Sequence, residues 1–351
     1  MSLNVPNPMN AMIPRTIFSA EHEDFRRTAR RFFEEELAPH REKWEEQQHI
    51  DRSLWNKAGE LGLLCSTMPE EYGGSGVDRL YSVIMMEEQA RAGDSASGFS
   101  LHSDIVANYL NNFATEELKQ KWLPKMASGE AVGSIAMTEP GTGSDLQAVR
   151  TSAIADGDDY IVNGSKIFIT NGYLCDISVV VVKTGDPSKG AESISLLLIE
   201  ADRPGFSKGR PLKKVGMKGQ DTCELFFDNV RVPKSNLIGM EGMGFIMLMK
   251  ELAWERLMIA IMCASGCEQV LAHTLAYVRD RKVFGKPVAA YQNTKYKLAE
   301  LRSETQIARV FVDKCIEEQI KGTLQVDAAA AAKYWVSDLM SKVADECVQL
   351  H

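Results

Sequence analysis

The chain has 351 residues, 44% of them hydrophobic and 25% charged, the balance of a globular protein with room for two or three domains. A net charge of −8 argues against nucleic acid or an anionic membrane surface as the main partner. Seven cysteines, an odd number without paired spacing, argue against a disulfide framework.

From Met1 to Phe18 there is neither an apolar core segment nor an Arg-rich amphipathic pattern, so no export or organelle signal is expected. Apolar runs such as Ile177 to Val182 are too short to cross a bilayer, so no membrane span is expected and the setting is read as reduced and cytoplasmic. From Ser19 to about Gly129 the hydrophobic period is helical. Phe25, Ala29, Phe32, Phe33 and Leu37 recur at helical spacing until Pro39. Ser53 reads as the N-cap of the next helix, Glu70 to Gly76 as a loop, and Leu80 to Ala92, Asp104 to Phe113 and Thr115 to Ala127 as further helices, the last capped by Thr115.

Between Ala131 and about Gly239 short runs of Val, Ile, Phe and Thr alternate with Gly, Asn, Asp and Pro. Tyr160 to Val162, then Asn163-Gly164, then Lys166 to Thr170 has the form of a hairpin. Ile177 to Lys183, Ile194 to Ala201 and Thr222 to Asp228 read as more strands, together suggesting a small antiparallel barrel or sandwich. After Gly244 the helical period returns: Phe245 to Ala264, Cys267 to Arg281, Tyr291 to Ile320 and Val326 to Leu350. The expected division is a helical domain over 1–130, a central β-domain over 131–241 and a helical bundle over 242–351.

Met137-Thr138-Glu139-Pro140-Gly141-Thr142-Gly143-Ser144-Asp145 follows the first predicted strand and offers backbone N–H groups and hydroxyls to a phosphate or a flavin edge; a plain turn is the alternative. Lys166-Ile167-Phe168-Ile169-Thr170-Asn171-Gly172 puts an aromatic and a hydroxyl on one strand face, suited to the core or to a planar ring system. Glu255 interrupts a helix stripe of Leu248, Leu252, Ile259 and Met262, where a carboxylate is costly unless paired; the choices are an ion pair or a catalytic acid–base group. Arg279 to Pro287 ends a helix with cations that suit its dipole or a ligand phosphate. The cluster Lys208, Arg210, Lys213, Lys214 and Lys218 reads as a solvated loop, with attraction of an anionic ligand as the alternative. Cys263 and Cys267 lie four apart with no His pair nearby, so no metal site is expected.

In this order, MTEPGTGSD, KIFITNG, LFFDNVRVP and RDRKVFGK resemble the acyl-CoA dehydrogenase family, from the helices near Glu21 to His351. The resemblance implies an N-terminal helical domain, a central β-domain and a C-terminal four-helix bundle, with FAD as cofactor. It implies that Ile135, Ala136, Met137, Thr138, Gly143 and Ser144, with Phe168, Ile169 and Thr170, line the flavin ring. Arg281, Phe284, Gln292 and Gln349 would reach the FAD of a neighbouring subunit, which implies a homo-oligomer, usually a dimer of dimers. Ser144, Ala191, Glu192 and Arg256 would contact the acyl-CoA, and Glu255 resembles the catalytic base of the long-chain and isovaleryl members. Electrons would pass to an electron-transfer flavoprotein. The family continues past His351 with a further helix and a loop that helps complete the flavin site, so the resemblance leaves this chain without the last bundle helix. A flavin monooxygenase or oxidase of the same fold, and a non-catalytic acyl-CoA-binding relative, are the competing readings.

Overall fold

In a computed structural model of the chain, residues 12–351 are described. Most of the segment read for an export signal therefore lies outside the described residues. The elements begin with α1 (Ala20–Phe32), α2 (Arg41–Gln47), α3 (Arg52–Glu60), α4 (Arg79–Ala92), α5 (Phe99–Leu101), α6 (Ala107–Phe113) and α7 (Glu116–Ala127). Strands follow as β1 (Gly133–Ala136), β2 (Ser152–Asp156), β3 (Asp159–Thr170), β4 (Ile177–Lys183), β5 (Ile194–Glu200), β6 (Phe206–Lys208), β7 (Thr222–Pro233) and β8 (Leu237–Ile238). The chain closes with α8 (Gly244–Asp280), the short pair β9 (Lys282–Val283) and β10 (Lys286–Pro287), α9 (Gln292–Ile320) and α10 (Val326–Leu350).

Local chemistry accounts for many of these limits. The Thr115 hydroxyl accepts the Leu118 N–H at the start of α7, as expected from sequence. Ser19 caps α1 and shares a reciprocal cap with His22. Ser53 is not a cap: α3 starts at Arg52, with Asp51 at the cap position, so Ser53 lies inside the helix. The predicted break near Gly266 is absent too, because α8 runs 37 residues without interruption. A side chain at Gly266 would crowd the Met340 thioether at 3.1 Å, so this glycine serves packing between helices rather than a helix end. By length and composition α8 could also cross a membrane, contrary to expectation, but 67% of its most apolar window is buried within the protein.

Contacts group the chain into two compact units, each assembled from separated stretches. The first comprises His40–Val77 and Ser95–Glu251 and contains the sheet. Its strand order is β6-β7-β3-β2-β4-β5-β8, with β1 pairing β4 off this path. The sheet is open, and β1 and β2 both pair β4 in parallel, so the expected antiparallel barrel is replaced by a mixed open sheet. β4 and β5 are buried on both faces, which is why each reads as an apolar run, 179–182 and 196–199, without polar alternation. Ile177, Val179 and Val181 face a core shared with Val106, Leu110 and Leu123, while Val180 and Val182 face a second core with Tyr160, Leu225 and Val230. Each such side chain contributes about 1.5–3 kcal/mol on burial.

The hairpin expected at Asn163-Gly164 lies elsewhere. β3 continues through that dipeptide, which forms a bulge against β7, and the chain reverses instead at Gly157-Asp158 between β2 and β3. Gly164, with φ of 150°, is required by close approach: a Cβ there would lie 2.7 Å from the Thr151 Cα.

The second unit comprises the chain up to Pro39, Asp78–Asp94 and Leu252–His351. Two adjacent carboxylates on α4, Glu87 and Glu88, are buried within it. Glu87 accepts from Arg15 at 3.0 Å, Arg26 at 2.7 Å and Arg309 at 3.1 Å. Glu88 accepts twice from Arg30 and once from Arg91, each at 2.9 Å. Burial alone would raise the Glu87 carboxyl, but the three guanidinium groups more than reverse that and hold it well below the carboxylate range. These pairs border a cavity of about 440 Å³.

Candidate active site

In the sheet unit, β1 delivers the chain into the Met137–Asp145 loop. Ile135 and Ala136 point to opposite cores and are buried, so only their backbone is available to a ligand. Met137 and Thr138 are half-buried, whereas Gly141, Gly143, Ser144 and Asp145 are exposed. The loop is closed by a reciprocal bridge: Glu139 N–H donates to the Thr142 carbonyl at 2.9 Å, and Thr142 N–H returns the bond at 3.0 Å. Thr142 Oγ1 also donates to the Ala148 carbonyl at 3.0 Å.

Beneath the loop lies a charge pair that the sequence reading did not weigh. Lys166 on β3 is fully buried, and its Nζ donates to Glu139 Oε1 at 2.9 Å and to the Met137 carbonyl at 3.0 Å. The Glu139 carboxylate also accepts the Arg150 N–H at 2.6 Å and the Thr151 N–H at 2.9 Å. Burial pulls the Lys166 ammonium down to about 8, partly offset by Glu139. Burial pushes the Glu139 carboxyl up, but Lys166 and the Thr151 amide outweigh it and leave the group below the usual range. A lysine directly before the apolar run Ile167-Phe168-Ile169 was the available signal.

β3 reaches the same place from below, since Ile167 N–H donates to the Thr138 carbonyl at 2.9 Å. The structure therefore brings Met137, Thr138 and the 166–170 segment together. A second register shift lies between Lys166 and Ile169, and Phe168 adopts a left-handed φ of 61°. Simple alternation thus fails: Phe168 is 64% exposed, Ile169 is buried in the core, and Thr170 is half-buried. A bulky residue in this conformation is strained, and such strain clusters at ligand sites. Asn171, also left-handed and buried, donates from Nδ2 to the Gly98 and Gly133 carbonyls at 3.0 and 3.3 Å. Asp221 accepts the Tyr173 and Leu174 N–H groups at 2.9 and 2.7 Å, and burial pushes its carboxyl up to about 6. Ala191 is half-buried and Glu192 exposed.

In the helical unit, Glu255 and Arg256 on α8 are both half-buried. Of the stripe predicted around Glu255 only Leu248 is in the core: Ile259 is 42% exposed and Leu252 and Met262 are half-buried. Trp254, Leu257, Met258 and Ile261 take the core instead, one helical position away, which puts Glu255 on the flank. Two cavities described in this unit are lined by other residues. Arg281, Phe284, Gln292 and Gln349 gather at one end of the bundle. Lys297 on α9 pairs with Glu346 on α10 at 2.6 Å, and the Tyr277 and His351 rings stack at 4.2 Å. All four gathered residues are exposed, Phe284 by 97%, at the tip of the β9–β10 turn where it adopts a φ of 49°. Among the described residues no cluster of His, Cys, Asp and Glu could hold a metal.

Comparison with known proteins settles the ancestry of this arrangement. Residues 19–130 match the acyl-CoA dehydrogenase N-terminal domain, 134–230 its middle domain and 242–351 its C-terminal domain. The chain belongs to the acyl-CoA dehydrogenase family. It is an oxidoreductase acting on CH–CH bonds, of a family of flavoproteins. It is 49% identical to the mouse mitochondrial long-chain specific acyl-CoA dehydrogenase over 96% of this chain and 79% of that protein. The crystal structure of acyl-CoA dehydrogenase from Geobacillus kaustophilus superposes with a TM-score of 0.94 at 46% identity, covering 96% of this chain and 89% of that one. A glutaryl-CoA dehydrogenase from Mycobacterium smegmatis, solved with FADH2, gives 0.87 at 29% identity over 95% and 84%. The family fold of helical, sheet and helical domains follows from these matches.

Proposed function

We propose that this family member is an FAD-dependent dehydrogenase of fatty acyl-CoA, acting on long chains and producing the trans-2-enoyl thioester. The observation that carries this reading is the succession of three family domains, in order, over residues 19–130, 134–230 and 242–351, together with near 50% identity to a long-chain specific relative. The residues around the first strand suit a flavin: Thr138 is half-buried and bonded to Ile167, next to an outward, left-handed Phe168, and Gly143 and Ser144 in the same loop as Thr138 are exposed. When bound, FAD supplies the acceptor for the β-hydrogen as hydride.

The chain's own groups do the rest. Ser144, Ala191, Glu192 and Arg256 are assigned to the acyl-CoA, and the Glu255 carboxylate removes the α-proton. A half-buried carboxylate on a helix flank can hold that proton while being reached by a ligand. Arg281, Phe284, Gln292 and Gln349, exposed at one end of the bundle, are assigned to the FAD of a second subunit in a homo-oligomer. An electron-transfer flavoprotein is the proposed electron acceptor. All seven cysteines are free thiols, in keeping with a reducing, cytoplasmic setting.

The test is anaerobic titration with acyl-CoAs of graded length, following the flavin spectrum. Wild-type protein should bleach most readily with long chains, and Glu255→Gln should retain FAD but fail to bleach. Unimpaired bleaching in that variant would move the base elsewhere, and a preference for short chains would overturn the substrate assignment.

A further inference from the structure

The Lys166–Glu139 pair lies in the interior beneath the Met137–Asp145 loop. Its ammonium is fully enclosed, and it holds two acceptors 2.9–3.0 Å away, the Glu139 carboxylate and the Met137 carbonyl. The peptide between Met137 and Thr138 is planar and trans, so its C=O and N–H point in opposite directions. With the carbonyl drawn down onto Lys166, the Thr138 N–H is aimed away from the buried lysine. The Thr138 carbonyl is bonded in turn to Ile167 N–H, so both peptides flanking residue 138 are anchored to β3.

Glu139 completes the device. Its carboxylate binds Lys166 and the Arg150 and Thr151 amides, tying the loop to the segment that enters β2. A buried ion pair contributes little net stability compared with an apolar pair of the same shape, so its presence here calls for a directional role. Lysine suits that role because one ammonium can satisfy a carboxylate and a carbonyl at once.

We infer that Lys166 and Glu139 are positioning residues that preset the Met137–Thr138 peptide so that its amide N–H faces a hydrogen-bond acceptor on the flavin ring. The inference rests on the assignment of Ile135–Ser144 to the flavin. A fixed donor costs no reorganisation when the ring gains electrons, and it favours the electron-rich reduced form.

The test uses the full chain, as wild type, as Lys166→Met, and as the double variant Lys166→Met/Glu139→Gln. The double variant removes the charge pair without leaving a buried carboxylate alone. Three quantities are measured: thermal stability, the FAD dissociation constant and the flavin midpoint potential. Lys166→Met should lose stability, bind FAD at least about tenfold more weakly and show a more negative potential, as expected for a lost charge-assisted hydrogen bond. The double variant should recover stability while FAD binding stays about tenfold weak and the potential stays lowered. Wild-type FAD affinity and potential in a stable double variant would overturn the inference alone and leave the flavin assignment standing. A wild-type chain that takes up no FAD would overturn the flavin assignment and the inference with it.

Discussion

His102 offers a quantitative test of how the sheet unit holds its first strand. The imidazole is fully buried, its Nδ1 accepts the Gly133 N–H at 3.0 Å, and its Nε2 donates to the Met126 carbonyl at 3.0 Å. That arrangement requires the neutral ring with its proton on Nε2. Burial pulls the ring pKa down from 6.5 to about 4. Between those values the unfolded chain binds a proton that the folded chain refuses, so stability is lost as the pH falls from 6.5 towards 4. A ring pKa of about 4 in place of 6.5 corresponds to about 3 kcal/mol in full, and about 2 kcal/mol is already lost at about pH 5. In His102→Gln an amide takes over both roles, accepting from Gly133 and donating to Met126, without titrating. Urea unfolding at about pH 7.5 and about pH 5 should then show wild type losing about 2 kcal/mol more than the variant. Equal losses in the two proteins would refute the argument.

Two further substitutions probe other parts of the fold. Glu87→Gln leaves Arg15, Arg26 and Arg309 without their shared carboxylate and should cost about 3–5 kcal/mol in thermal or urea unfolding. A loss below about 1 kcal/mol would mean that the arginines find other partners. Phe168→Gly relieves a left-handed φ of 61° and should stabilise the flavin-free protein by up to about 1 kcal/mol while weakening FAD retention. A flavin-free variant less stable than wild type would show that the Phe168 ring contributes packing that outweighs its strain.

What could be read from sequence was whatever local chemistry alone decides. β4 and β5 were legible because strands buried on both faces show no polar alternation, and Thr115 was legible as a cap because its hydroxyl acts within its own turn. Asn163-Gly164 misled because the same dipeptide that builds a two-residue turn also builds a bulge. The choice was made by Thr151, twelve or more residues away, which leaves no room for a Cβ at position 164. Gly266 misled for the same reason, its role being set by Met340 on another helix. The motif loop itself stood out, but its support did not. Lys166 and Glu139 are 27 residues apart, and nothing short of the fold pairs them.

Three buried polar side chains converge on β1, and this explains why they are there. The strand is four residues long and pairs with β4 on one side only, so its own ladder holds it weakly. Gly133, where it begins, donates its N–H to His102 and accepts from Asn171 through its carbonyl. Just past its end, the Met137 carbonyl accepts from Lys166. Apolar packing could bury this strand, but packing is non-directional and would not fix its rotation or its slide along β4. Hydrogen bonds to groups of fixed position at both ends do fix them. The loop that follows inherits that precision even though Gly141, Gly143 and Ser144 are themselves exposed. Substitutions that remove the hydrogen-bonding groups of His102, Asn171 or Lys166 should therefore displace the proposed flavin loop without touching any ligand, and a substitution at exposed Gly141 should not.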